Sequence, residues 1–119
     1  MNIEFVGRHV ALDDRIRKQA EERIGKLAKL LGEPVEVHVT LESEKFRQTA
    51  EVRVRPRRGE LLAREEGTDL GAVLNLAVDK IDGQVRRRRE RAVNRRRRAA
   101  ARNAAPRTAG AAAAGGAEN

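Results

Sequence analysis

The chain contains no cysteine, no tryptophan and no tyrosine, and only two phenylalanines among its 119 residues. Without cysteine, a disulfide scaffold, a thiolate metal site and a thiol nucleophile are all excluded. Phe5 and Phe46 are the whole aromatic complement. That is too little for the aromatic platform on which readers of single-stranded RNA stack splayed bases. Apolar runs are short, and none approaches the roughly 20 residues that span a bilayer. The opening MNIEFVG lacks a charged segment followed by an apolar stretch, so it does not read as a signal peptide. The expected location is the cytoplasm.

Groups that could do chemistry are equally sparse. His9 and His38 lie far apart in the chain, without the spaced Cys, His and carboxylate set a metal needs, so no cofactor is expected. His38 alternates outward on a strand as an ordinary surface residue. His9 falls in the loop before the first helix, where a partner contact is conceivable. GKLAKLLG at 25–32 has no G-K-[ST] ending and sits within a helical pattern, so it is not a phosphate loop. Glu65, Glu66 and Asp69 offer no pair with an evident means of shifting a pKa. The reading is of a protein that is not an enzyme and has no small-molecule substrate.

What the chain has in abundance is arginine, and it is concentrated. Residues 1–85 carry 15 Lys/Arg against 16 Asp/Glu, whereas residues 86–107 carry 11 Lys/Arg against one Glu. The stretch RRRRERAVNRRRR, 86–98, has nine arginines in thirteen positions. A GC-rich genome explains arginine in place of lysine but not an excess confined to one segment. That confinement points to a polyanion met at one place. The residues alone do not separate RNA from DNA. An anionic membrane fits less well, since an interfacial helix needs an apolar face and 86–98 offers only Ala92 and Val93.

Periodicity gives the architecture. Ile3 and Phe5 alternate with Glu4 and Val6 in a short strand ending at Gly7. Asp13 is placed to cap a helix whose apolar stripe is Ile16, Ala20, Ile24, Leu27, Ala28 and Leu31, stopped by Gly32 and Pro34. Val35, Val37, Val39 and Leu41 form one face of a strand, and Ala50, Val52 and Val54 one face of the next. PRRG at 56–59 makes a turn into a weaker strand with Leu61 and Ala63 inward. Thr68 or Asp69 caps a second helix bearing Leu70, Val73, Leu74, Ala77, Ile81 and Val85. The expected fold class is α+β, in the order β-α-β-β-β-α: one four-stranded sheet with both helices on one face.

Past Val85 the inward stripe of the second helix would continue through Arg88, Ala92, Arg95 and Ala99, which cannot bury against an apolar sheet. The helix is therefore expected to leave the domain near residue 86 as a basic arm. Unbroken from Asp69 to Arg98, it would be about 45 Å long. The expected organisation is a domain with its arm over 1–98 and a disordered Ala/Gly-rich tail over 99–119. Lys80, Gln84, Arg87, Arg91, Asn94 and Arg98 share one flank of the helix, and Arg23 and Lys26, basic on the first helix, are expected to form one flank with Lys80. With Arg88 and Arg95, all of these but Asn94 are the candidate anion-binding residues. Arginine suits phosphate because its planar fork donates two parallel hydrogen bonds and stays charged.

Three segments carry a family likeness. They are IEFVGRHVALDDRIR at 3–17, Arg23 with Lys26-Leu27, and EGTDLGAVLNLAVDKIDGQV at 66–85. Together they resemble the ribosome hibernation promoting factor and ribosome-associated inhibitor family, also called sigma-54 modulation proteins, over about residues 1–91. The resemblance implies a fold related to double-stranded-RNA-binding domains. It implies a partner, the small ribosomal subunit and its rRNA within the whole ribosome, with the protein in the channel that mRNA and the A- and P-site tRNAs use. It implies translation blocked in starved or stationary cells without catalysis, by a protein expected to be monomeric off the ribosome. The family's rRNA-contacting positions match Arg23, Lys26, Lys80, Arg87 and Arg91. Gly71, Asn75 and Gly83 depart from the family's Tyr, Asp and Arg. The lack of a strand pattern in the tail resembles short members of the family. The alternatives are a DNA-binding regulator of transcription, disfavoured because no heptad of Leu or Ile follows Arg98, and a general binder of double-stranded RNA.

Overall fold

The computed structural model describes residues 1–10 and 13–104. Its elements follow the expected order: β1 (Asn2–Arg8), α1 (Asp14–Leu31), β2 (Glu36–Glu44), β3 (Arg47–Arg55), β4 (Leu61–Gly67) and α2 (Leu70–Ala104). The four strands form one sheet in the order β1-β2-β3-β4. β1 pairs parallel to β2, and the remaining pairs are antiparallel. The parallel pair requires a crossover, which α1 supplies, while tight turns suffice for the other two.

The helix ends are set by local chemistry. The Asp13 carboxylate accepts a hydrogen bond from the Arg15 N–H at 2.8 Å, satisfying a donor that the first turn leaves open. Gly32, at φ 70°, takes the left-handed conformation that ends α1 and donates its N–H to the Lys29 carbonyl. At α2, Asp69 is the cap: its carboxylate accepts from the Ala72 N–H at 2.9 Å and its carbonyl from the Val73 N–H.

The core lies on one face of the sheet. Val37 pairs with Val54, Val39 with Val52 and Leu41 with Ala50, and Leu61 and Ala63 extend these rows onto β4. All of them are buried, together with Ala20, Ile24 and Leu27 of α1. From α2 come Val73, Leu74, Ala77, Ile81 and Val85, joined by Val78, which the expected stripe left out. Ile24 and Leu27, Ile81 and Val85, and Val37 and Val54 surround one small interior space, so both helices rest on the same face. The other face carries Glu4, His38, Arg53 and Leu62 in one row and Thr40, Glu51 and Arg64 in the next. Close packing constrains one glycine in particular: a Cβ at Gly67 would lie 2.8 Å from a Val73 methyl, too near for any other residue without movement.

By its contacts the chain divides into two compact units, Met1–Arg87 and the segment from Arg88 onward. In the first, the buried apolar residues of α2 end at Val85. In the second, Arg88, Ala92 and Val93 are partly covered and the other described side chains are exposed. The helix continues through Ala104, so residues 99–104, assigned above to a disordered tail, are helical. Ala99, Ala100, Ala101 and Ala104 explain this, alanine having the highest helix propensity. The rest of the expected tail, 105–119, lies outside the described residues.

Candidate nucleic-acid interface

The candidate basic side chains of the first unit fall on two different sides of α2. Arg23 projects from α1 and donates from Nη2 to the Asp79 carboxylate at 2.6 Å and from Nη1 to the Asn75 carbonyl at 3.5 Å. This contact ties the two helices together on their outer surface. Lys26, one turn along α1, is exposed.

Lys80 is the next residue after Asp79, and one helical step is a rotation of about 100°. Lys80 accordingly points toward the free edge of the sheet, where its ammonium pairs with Glu65 of β4. The single flank expected to join Arg23, Lys26 and Lys80 is therefore split by the body of α2. Glu65 could have been anticipated: it continues the inward alternation of Leu61 and Ala63, so it sits on the helix side of the sheet and requires a cation.

Gln84 is engaged in the fold. Its Nε2 donates to the Leu62 carbonyl at 2.9 Å, and its Oε1 accepts from the Leu62 N–H at 3.3 Å. β4 is an edge strand, and an edge strand presents unpaired backbone groups. The Gln84 amide satisfies two of them at once. Gln84, one of the candidate anion-binding residues, is thus held by the scaffold. No periodicity marks it, because its partner lies on another element.

One turn beyond Gln84, Arg87 is exposed, and its guanidinium lies over Gly83. A Cβ built on Gly83 would come within 3.4 Å of Nη1 and 4.0 Å of Cζ. The glycine that departs from the family pattern therefore leaves bare backbone against which Arg87 rests. Arg86 pairs with Asp82 one turn earlier on the same helix. Arg91, Arg95 and Arg98 are exposed and Arg88 is partly covered, all four in the second unit.

The carboxylate facing Arg23 is a weak competitor: Asp79 is 60% exposed at the side chain, and ion pairs at this exposure contribute only ~0–1 kcal/mol. A phosphate that brings a second negative charge and better geometry can displace it. Glu65, facing Lys80, is only 18% exposed, so leaving it without a cation costs more. His38 lies on the open sheet face with Nδ1 3.2 Å from a Glu4 carboxylate oxygen, away from both helices. His9 is exposed at the end of β1 with φ 57°, a left-handed conformation that histidine visits more readily than most residues. Among the described residues there is no group of three or more His, Cys, Asp or Glu suited to a metal ion, and no helix long and apolar enough to cross a membrane.

A mixed four-stranded sheet with two helices over one face, the second running on into an arginine-rich segment, defines an α+β fold. Residues 3–93 match the model of the sigma 54 modulation protein / S30EA ribosomal protein family, and the chain belongs to that family. It is 27% identical over 89 residues to the ribosome hibernation promoting factor of Azotobacter vinelandii, covering 75% of this chain and 83% of the relative. It is 25% identical over the same length to that of Escherichia coli K12, covering 94% of the relative. The N-terminal domain of Thermus thermophilus Protein Y superposes with a TM-score of 0.67 at 31% identity, over 73% of this chain and 98% of that one. A ribosomal subunit interface protein from Coxiella burnetii shares the fold, with a TM-score of 0.64 at 17% identity over 76% and 99% of the two chains.

Proposed function

We propose that this protein is a ribosome-silencing factor. It binds rRNA of the small subunit in the channel that mRNA and the A- and P-site tRNAs occupy, and it blocks translation in starved or stationary cells. It acts in the cytoplasm by occupying space, without catalysis, and is a monomer when off the ribosome. Family membership and relatives named ribosome hibernation promoting factor support this reading. The observation that carries it within this chain is the charge pattern: a nearly neutral packed domain leads directly into nine arginines in thirteen positions. Phosphate neutralisation supplies affinity without base recognition, and residues held by a fold supply register.

In this reading Arg87, Arg23 and Lys26 engage phosphates from positions set by the domain. Lys80 joins them by exchanging Glu65 for phosphate. Arg88, Arg91, Arg95 and Arg98 add electrostatic attraction along the helix. Added to a translation extract, the protein is expected to lower initiation and to co-sediment with small subunits and whole ribosomes. Co-sedimentation with large subunits alone overturns the reading. A tight, sequence-dependent shift of duplex DNA at physiological salt would favour a transcriptional role instead.

A further inference from the structure

The β3–β4 turn, residues 56–59, carries Arg57 and Arg58 between Pro56 and Gly59, outside the basic run of α2. Three observations give it a part. First, its shape is fixed. Gly59 holds φ 78°, and the Arg57 N–H donates to the Glu33 carboxylate at 2.5 Å, tethering the turn to the loop after α1.

Second, two of the three acids near Arg57 are already engaged. Glu60 is shared by Arg53 at 3.5 Å and Arg55 at 3.7 Å, and Glu33 is held by the turn's own backbone. Among the described residues the Arg57 guanidinium forms no ion pair. Glu36 is the remaining carboxylate beside it, on the cleft of about 390 Å³ walled by Met1, Asn2, Pro34, Arg55, Pro56 and Arg57.

Third, the turn lies where α2 is heading. Lys80 meets Glu65 and Gln84 meets Leu62, so each turn of α2 advances about three residues back along β4. The same advance carried one turn further would bring Arg87 level with residues 58–59. Val54 and Val85 also line one interior space, which places Arg55 and Arg86 at the same end of the sheet.

We propose that this turn is a second phosphate contact, in which Arg57 and Arg58 grip the backbone of the same RNA that Arg87 engages. The RNA is thereby held from the sheet end as well as from the helix. The inference rests on the function proposed above. Because the tether to Glu33 uses the Arg57 backbone, side-chain replacement leaves it in place.

The test is equilibrium binding to purified small ribosomal subunits over a salt series. The variants are R57A/R58A, R57A alone, R57K/R58K and, as a control, K45A at the β2–β3 tip at the opposite end of the sheet. R57A/R58A is expected to bind about tenfold more weakly at 0.15 M salt. Its log–log salt slope should be shallower by roughly 1.4–1.8, the value for two lost phosphate contacts. R57A alone should lose roughly half of that, and R57K/R58K should keep the slope while binding slightly less well, since lysine lacks the planar fork. K45A is expected to match wild type in slope and affinity. An unchanged slope in R57A and R57A/R58A, or an equal loss in K45A, overturns the turn contact while leaving the silencing function standing. A wild-type chain that ignores small subunits overturns both.

Discussion

The two units of this chain solve opposite physical problems. From Met1 to Arg87, eighteen buried apolar residues among those described make one core, and the candidate basic residues that flank it are matched: Arg23 with Asp79, Lys80 with Glu65, Arg86 with Asp82. From Arg88 to Ala104 the order is reversed, with little to bury and a run of like charges on a helix that alanine favours. In the proposed function, the first unit gives precision at low net charge and the second gives charge with little precision. Attraction to a polyanion is nonspecific and long-ranged, so separating it from the folded scaffold keeps core stability independent of charge density.

The sharpest way to break this contrast is to damage the core. Ile24 is 1% exposed, and Ile24→Ala is expected to cost about 2–5 kcal/mol in urea unfolding. At temperatures where the variant is still folded, its salt slope on RNA should equal that of wild type. A change in slope would mean that the two properties are coupled.

The complementary variant is R91S/R95S/R98S. Its log–log salt slope on small subunits is expected to shrink by roughly 2–3, with the thermal midpoint of unfolding unmoved. A lowered midpoint would show that these arginines also hold the fold.

Gln84→Ala tests where the boundary between scaffold and interface runs. Losing both hydrogen bonds to Leu62 should destabilise the protein by about 1–2 kcal/mol, with ribosome affinity of the folded protein nearly unchanged. A large loss of affinity without loss of stability would restore Gln84 to the RNA-binding set.

The smallest effect is expected from Asp79→Asn. Freed from its carboxylate partner, Arg23 should bind RNA more readily, raising small-subunit affinity roughly two- to five-fold, in line with the modest strength of exposed ion pairs. Weaker binding in this variant would mean that Asp79 orients Arg23 for its phosphate and does not compete with it.

Much of this was legible from residue order. The alternation Val37-Val39-Leu41 against Ala50-Val52-Val54 admits only one face as core, because a slip of one residue would expose it. Asp13, Gly32 and Asp69 marked the helix ends by chemistry local to a few residues. The concentration of arginine in 86–98 needs no structure at all. Residues 99–104 are helical where a disordered tail was expected, because alanine continues a helix that is already formed and needs no new nucleus.

What tertiary structure alone decided is which polar groups face each other across elements. Lys80 and Gln84 look alike on a helical wheel, yet one meets a carboxylate and the other a backbone edge, because β4 presents different groups three residues apart. Asp79 and Lys80 are neighbours in sequence but serve opposite sides of α2, so the flank that seemed continuous is two. Arg87 and the turn at 56–59 are about thirty positions apart and reach the same end of the sheet. Periodicity reports the environment of an element's own face, and it carries no information about what another element brings to that face. Apolar partners are interchangeable, so pattern suffices for the core; hydrogen bonds and ion pairs depend on the particular partner, so the interface had to wait for the fold.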